Sequence, residues 1–129
     1  MVVVDASFAL EVLLETPRGL HHAGLFFDQE RHAPDLIDLE IAQTLRRLVL
    51  AGELADHRAM AVLDIHSDLA LVRHSHAALL SRIWDLRSSL SAYDAAYVTL
   101  AEALDMPLLT CDAKLARAHG HGAKIKLLT

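Results

Sequence analysis

The chain has 129 residues, 53% of them hydrophobic and 22% charged, enough for one domain that buries roughly two-thirds of its unfolded surface without help from a metal or disulfide. With only three prolines and five glycines, low-complexity linkers and disordered tails are excluded, and a lone Cys111 outside any CxxC or CxxC…HxxxH spacing excludes zinc-finger and thioredoxin-like readings. The formal net charge of −5 is unpromising for a nucleic-acid binder, because phosphate contacts usually come from Lys and Arg.

The first element is Val2–Val4, a β-branched run without alternation, as expected of a strand buried on both faces of a parallel sheet. Asp5 marks where it leaves the core, and residues 6–15 form a helix stopped by Thr16-Pro17. A second helix is expected over 19–29 and a weak strand around 31–34. The stretch PDLIDLEIAQTLRRLVLAG carries its own punctuation, with Asp35 at the N-cap, Asp38 three residues on as in a capping box, and Gly52 just past the end. Ile37, Ile41, Leu45 and Leu48 make its buried stripe. Residues 53–67 form a helix, LALV at 69–72 a strand and residues 76–87 a helix. Ser91 opens SAYDAAYVTLAEAL, which ends near Asp105-Met106-Pro107. PLLT at 107–110 is a strand, AKLARAHG a short helix closed by Gly120, and KIKLL at 124–128 the last strand. Leu45, Leu48, Leu63 and Ile65 read as core.

Strands alternating with helices imply a single α/β domain over 1–129 with a central parallel sheet of four to five strands flanked by helices. No apolar run approaches the ~18–20 residues of a membrane helix, and Asp5 and Glu11 stand where a signal peptide would need cationic and apolar regions. The expected setting is therefore cytoplasmic, reducing and off the membrane.

All strands of such a sheet deliver their C-terminal ends to one edge, where ligands bind. Asp5 follows VVV and Asp112 follows LLTC, so they share that edge. Glu40 lies a turn into its helix, beside the apolar stripe, and Asp94 lies in the first turn of the helix that Ser91 opens. Taken alone, Asp5 and Asp112 are explained as N-caps and Asp94 as part of a capping box with Ser91. Together they differ, because like charges about 4 Å apart repel by ~4 kcal/mol per pair at an effective dielectric near 20. Hard carboxylate oxygens converging in this way suit Mg²⁺ or Mn²⁺, and the chemistry they point to is metal-assisted phosphodiester hydrolysis.

The segments VVVDAS at 2–7, DLEIAQTLRR at 38–47, LSAYDAAYVTLAEAL at 90–104 and LLTCDAKLARA at 108–118 resemble, in order and spacing, a PIN-domain ribonuclease of the VapC type, the toxin of a bacterial toxin–antitoxin pair. The resemblance covers essentially the whole chain. It implies that Asp5, Glu40, Asp94 and Asp112 are the catalytic and metal-binding quartet, with the Thr110 hydroxyl in support and Ser7 in a similar part. It further implies Mg²⁺- or Mn²⁺-dependent RNA hydrolysis leaving 5′-phosphate and 3′-hydroxyl ends, a homodimer, and a cognate VapB-like antitoxin. Position 6 is alanine where many relatives carry a hydroxyl residue.

The charge objection then weakens, since setting the four acids aside leaves the rest of the chain close to neutral. Arg46, Arg47, Arg87 and Lys114 are the candidates for RNA phosphate contact. His74-x-His76 and His119-x-His121 lack the HExxH or cysteine partner of a soft-metal site, and Cys111 is assigned no role. Two rival readings keep the composition: a phosphoacceptor signalling domain with an Mg²⁺-binding aspartate pocket, and a PIN-like module that binds RNA or protein without cutting.

Overall fold

A computed structural model describes all residues, Met1–Thr129. Five parallel strands, β1 (Val2–Val4), β2 (Arg31–Pro34), β3 (Leu71–His74), β4 (Leu108–Thr110) and β5 (Ile125–Leu127), lie in the order β3-β2-β1-β4-β5. Val3 is in register with His32 on one side and Leu108 on the other. This is the predicted α/β architecture with its upper number of strands. The order also separates the fold from the phosphoacceptor alternative, whose doubly wound sheet runs 2-1-3-4-5.

Eight helices cover the sheet: α1 (Ala6–Leu13), α2 (Pro17–His21), α3 (Ala23–Phe27), α4 (Ile37–Leu50), α5 (Asp56–Asp68), α6 (Leu80–Asp85, entered through a 3₁₀ turn over Ala77–Leu79), α7 (Ala92–Leu104) and α8 (Ala113–Ala116). None is long and apolar enough to cross a membrane. The middle of α7 is buried from Ala95 through Ala101, and its small residues let this helix press onto β1 and β2. Val3, Val4, Phe8, Ile37, Ile41, Tyr97, Val98 and Leu108 are at most 2% exposed and form the centre of the core.

Several sequence expectations change in detail. The first helix ends two residues early, where Glu15 takes a left-handed conformation (φ 56°). The expected 19–29 helix is two short ones, α2 and α3, broken at His22. Leu36, not Asp35, is the N-cap of α4 and makes no side-chain capping bond; the Asp35 N–H instead donates to the His74 carbonyl, because β3 passes beside it. Asp38 does not close a capping box. Its carboxylate accepts from His66 of α5 at 2.6 Å and from Arg73 of β3 at 2.9 Å.

The third strand sits two residues later than expected, since pairing of Arg31 with Leu71 and of Pro34 with His74 sets its register. The 76–87 helix is shorter, and α8 ends at Ala116, four residues before Gly120. Gly52 does follow α4 with φ +74°, the left-handed conformation that ends helices and that glycine adopts without strain. Within the expected apolar stripe, Ile37, Ile41 and Leu45 are buried, but Leu48 is only partly covered and Ile65 of α5 is 48% exposed.

Gly19 has a steric reason to be glycine. A Cβ there would fall 1.8 Å from the Glu11 carbonyl oxygen, so α2 can lie against α1 only with hydrogen at this position.

Candidate active site

Asp5, Glu40, Asp94 and Asp112 come together around one cavity of about 410 Å³ at the C-terminal edge of the sheet, together with Ser7, Glu11, Thr16, Thr44, Arg47 and Tyr97. The convergence follows from topology. Asp5 and Asp112 cap the helices that leave the adjacent strands β1 and β4, while α4 and α7 each deliver an acid from the first turn.

Asp5 is the most buried of the four, 5% exposed. Its Oδ1 accepts from the Phe8 N–H at 3.0 Å and the Ser7 hydroxyl at 2.8 Å, and its Oδ2 accepts from the Thr110 hydroxyl at 2.6 Å. Asp5 is thus a helix cap as well as a site acid. Thr110 accepts in turn from the Asp112 N–H at 2.9 Å, and Ser7 accepts from the Cys111 N–H at 3.1 Å. These bonds stitch β1 to β4 under the cavity. Burial pushes the Asp5 carboxyl above its usual range; the three donors offset part of this and the Asp112 charge adds to it.

Glu40 accepts from the Tyr97 hydroxyl at 2.6 Å. Its carboxyl is also raised, first by burial and further by the charges of Asp94 and Asp5, against the Tyr97 bond. Tyr97 is 2% exposed, and burial together with the neighbouring Glu40 charge drives its phenol far above the ordinary value, so it remains a donor. Asp94 is raised by burial and by Asp112, with Ser91 and Lys114 lowering it. The Ser91 hydroxyl caps α7 by accepting from the Asp94 N–H at 3.1 Å.

Three acids in one cavity have proton affinity raised by burial and by one another's charge, so a bound cation would balance charge there. No three His, Cys, Asp or Glu side chains close a preformed cage. The donors the four acids offer are all carboxylate oxygens, the set that fits a hard cation such as Mg²⁺ and not a soft one.

The four cationic candidates separate. Arg47 lines the cavity, and Arg87 and Lys114 line an adjoining hollow that shares Asp94. Arg46 does not: it points into an apolar groove between α4 and α5 with Leu45, Val49 and Met60, because successive residues of a helix face about 100° apart. The histidine pairs also resolve otherwise. His74 Nε2 lies 2.8 Å from His32 Nδ1, not beside His76, and His32 Nε2 donates to Glu30 at 2.7 Å. His121 spends both nitrogens locally, donating to the Ala118 carbonyl and accepting from the Ala123 N–H. Cys111 is buried and its thiol is pushed up to about 11, chiefly by burial, which leaves it unreactive.

Tyr97 and the Glu11 group escaped the sequence reading. Glu11 accepts from the Thr16 hydroxyl and, at 2.8 Å, from Arg18; although burial pushes its carboxyl up, those bonds hold it below the usual range. The signal for Tyr97 was its place three residues after Asp94, on the same side of α7.

The PIN domain family model matches residues 2–120. The chain belongs to the PIN domain family. Within it, the chain is 38% identical over 128 residues to ribonuclease VapC12 of Mycobacterium tuberculosis, covering 99% of each protein. The structure is similar to VapBC2 of Rickettsia felis, solved bound to a DNA fragment from their promoter (TM-score 0.69, 12% identity, 100% of each chain). It is also similar to the Mycobacterium tuberculosis sarcin-ricin loop cleaving toxin VapC20 (TM-score 0.65, 15% identity, 90% of this chain and 93% of that one).

Proposed function

We propose that this PIN domain is a metal-dependent endoribonuclease acting as the toxin of a toxin–antitoxin pair. The observation that carries the reading is the set of four carboxylates around one cavity, three of them with proton affinity raised by burial and mutual repulsion. The VapC relative named a ribonuclease, at 38% identity over nearly the whole of both chains, supports the same activity.

Asp5, Glu40, Asp94 and Asp112 are the residues that would hold Mg²⁺ or Mn²⁺. When bound, the metal supplies Lewis-acid charge against the phosphate oxygens and acidifies the attacking water. Asp5 is held rigid by Thr110 and Ser7, so its oxygens meet the cavity at a fixed angle. Tyr97 fixes Glu40 in the same way. Glu40 and Asp94 are less deeply buried than Asp5 and reach the cavity from the first turns of α4 and α7. Arg47 at the rim, with Arg87 and Lys114 beyond Asp94, faces the phosphodiester backbone. Water attack in line with the leaving 3′-oxygen leaves 5′-phosphate and 3′-hydroxyl ends, a route that does not use the ribose 2′-hydroxyl as nucleophile. The partners of this reading are RNA, a VapB-like antitoxin and a second copy of the chain; exposed Leu39, Leu80 and Tyr93 support the homodimer.

The test is incubation of the purified protein with total cellular RNA and Mg²⁺ or Mn²⁺, with new 5′-phosphate ends mapped by sequencing beside Asp94→Asn and an EDTA control. Discrete ends that vanish in both controls are expected. Intact RNA, or equal cutting by Asp94→Asn, would sink the mechanism and leave a PIN-like binding module.

A further inference from the structure

Asp94 also borders a second hollow of about 330 Å³, whose other lining residues are Arg87, Ser88, Ser89, Leu90, Ser91 and Lys114. It is the reverse of the acidic cavity: two cations and three hydroxyls facing a single carboxylate, that of Asp94. Neither Arg87 nor Lys114 has an ion-pair partner, whereas Arg18, Arg73 and Arg82 are each matched to an acid.

Arg87 is nevertheless held in place. Its guanidinium lies 4.8 Å from the centre of the Trp84 ring and donates to the Trp84 carbonyl at 3.0 Å, an arrangement that orients a cation without neutralising it. Lys114 lies within electrostatic reach of Asp94 and lowers its proton affinity. The floor is pinned by Ser89, whose hydroxyl reaches the His119 carbonyl at 2.9 Å, and by Ser91, whose Oγ accepts the Asp94 N–H at 3.1 Å. Two unpaired cations and a serine floor, in a chain of net charge −5, form a site for a dianionic or monoanionic oxyanion of phosphate size.

We propose that this hollow is a positioning subsite for the RNA backbone. It would bind the phosphate next to the scissile one, with Arg87 and Lys114 as its charged contacts, and so set which bond of the strand lies over the four acids. The proposal rests on the nuclease reading for the word scissile, but not for phosphate binding itself, because the hollow and the acids are read out separately.

The experiment measures binding of a short mixed-sequence single-stranded RNA to the full chain in EDTA, where nothing is cut, by fluorescence anisotropy across a range of salt. Wild type is compared with Arg87→Ala/Lys114→Ala and with Arg46→Ala/Lys126→Ala, which removes equal charge from exposed positions outside the hollow. Loss of one phosphate contact from a single strand flattens log K against log salt by about 0.7, and that flattening, with an affinity loss of tenfold or more at low salt, is expected only for the first double variant. Arg87→Lys, which keeps charge but not the fork, is expected to recover the slope and only part of the affinity. Trp84 is the sole tryptophan, so its emission should change with the same midpoint. A slope and affinity equal to those of the Arg46→Ala/Lys126→Ala control, with silent Trp84 emission, overturn the subsite. Failure of the nuclease reading looks different: Trp84 responds and the slope falls as expected, while total RNA stays intact with metal.

Discussion

Asp94 carries the most separable burden in the molecule. Burial and Asp112 raise its proton affinity, and the Ser91 hydroxyl is the one neighbour that hydrogen-bonds it. Asp5, Glu40 and Asp94 all hold their protons more tightly folded than unfolded. The stability they contribute is therefore fully present below ordinary carboxylate values and is lost as pH rises through their folded values. Metal-free protein is accordingly expected to unfold at lower urea as pH rises above the ordinary carboxylate range. Asp94→Asn should flatten this dependence and raise the urea midpoint at neutral pH while abolishing cleavage. A lower midpoint would mean that the carboxylate is structural. Thr110→Val makes the opposite case. It removes a donor to buried Asp5 and the acceptor of the Asp112 N–H, so a loss of about 1–3 kcal/mol in urea unfolding and roughly 10–100-fold in cleavage rate is expected.

At the scale of elements, two contacts decide whether the edge bearing the acids is assembled. Asp38 joins α4 to His66 of α5 and Arg73 of β3. Its pairing with Arg73, 31% exposed, contributes little by itself. His66, with its side chain only 5% exposed, would be left unpaired by Asp38→Ala at a cost of about 1–3 kcal/mol, read as a lower urea midpoint. Burial pushes the Asp38 carboxyl up, yet Arg73 and His66 outweigh it and hold it below 3.8. The contribution of Asp38 is thus present above that value and lost as pH falls through the lower folded value. The second contact is Gly19. Gly19→Ala drives a Cβ into the Glu11 carbonyl and must displace α2 from α1, costing about 1–3 kcal/mol. Because Glu11 and Thr16 line the cavity, cleavage should fall with stability in this variant, measured side by side.

For the whole molecule, charge distribution matters more than net charge. The acids gather at the C-terminal edge of the sheet, and the unpaired cations Arg47, Arg87 and Lys114 stand beside them. A divalent ion that binds only the folded chain stabilises it by about 2.7 kcal/mol at a hundredfold excess over Kd. Mg²⁺ is therefore expected to raise the thermal midpoint of the wild type and to leave that of a Glu40→Gln/Asp94→Asn variant unmoved. Equal stabilisation of both proteins would place the metal elsewhere.

The sequence by itself determined the alternation of strands and helices, the buried Val2–Val4 strand, the Ser91 cap and Gly52 stop, and the presence of four acids at strand ends and helix starts. These are local matters of periodicity, capping and backbone freedom, carried by a few neighbouring residues. The ends of α4 and β3 were not legible, because Asp35 and Asp38 answer to partners on β3 and α5 and not to their own helix. Only the tertiary structure decided which Asp5 oxygen Thr110 grips, that Tyr97 grips Glu40, and that Arg46 turns away while Arg87 and Lys114 face a common hollow. Those contacts join residues 57 to 105 positions apart in the case of Tyr97 and Thr110, and a parallel sheet creates them by bringing distant strand ends to one edge, where no local pattern records which side chains will meet.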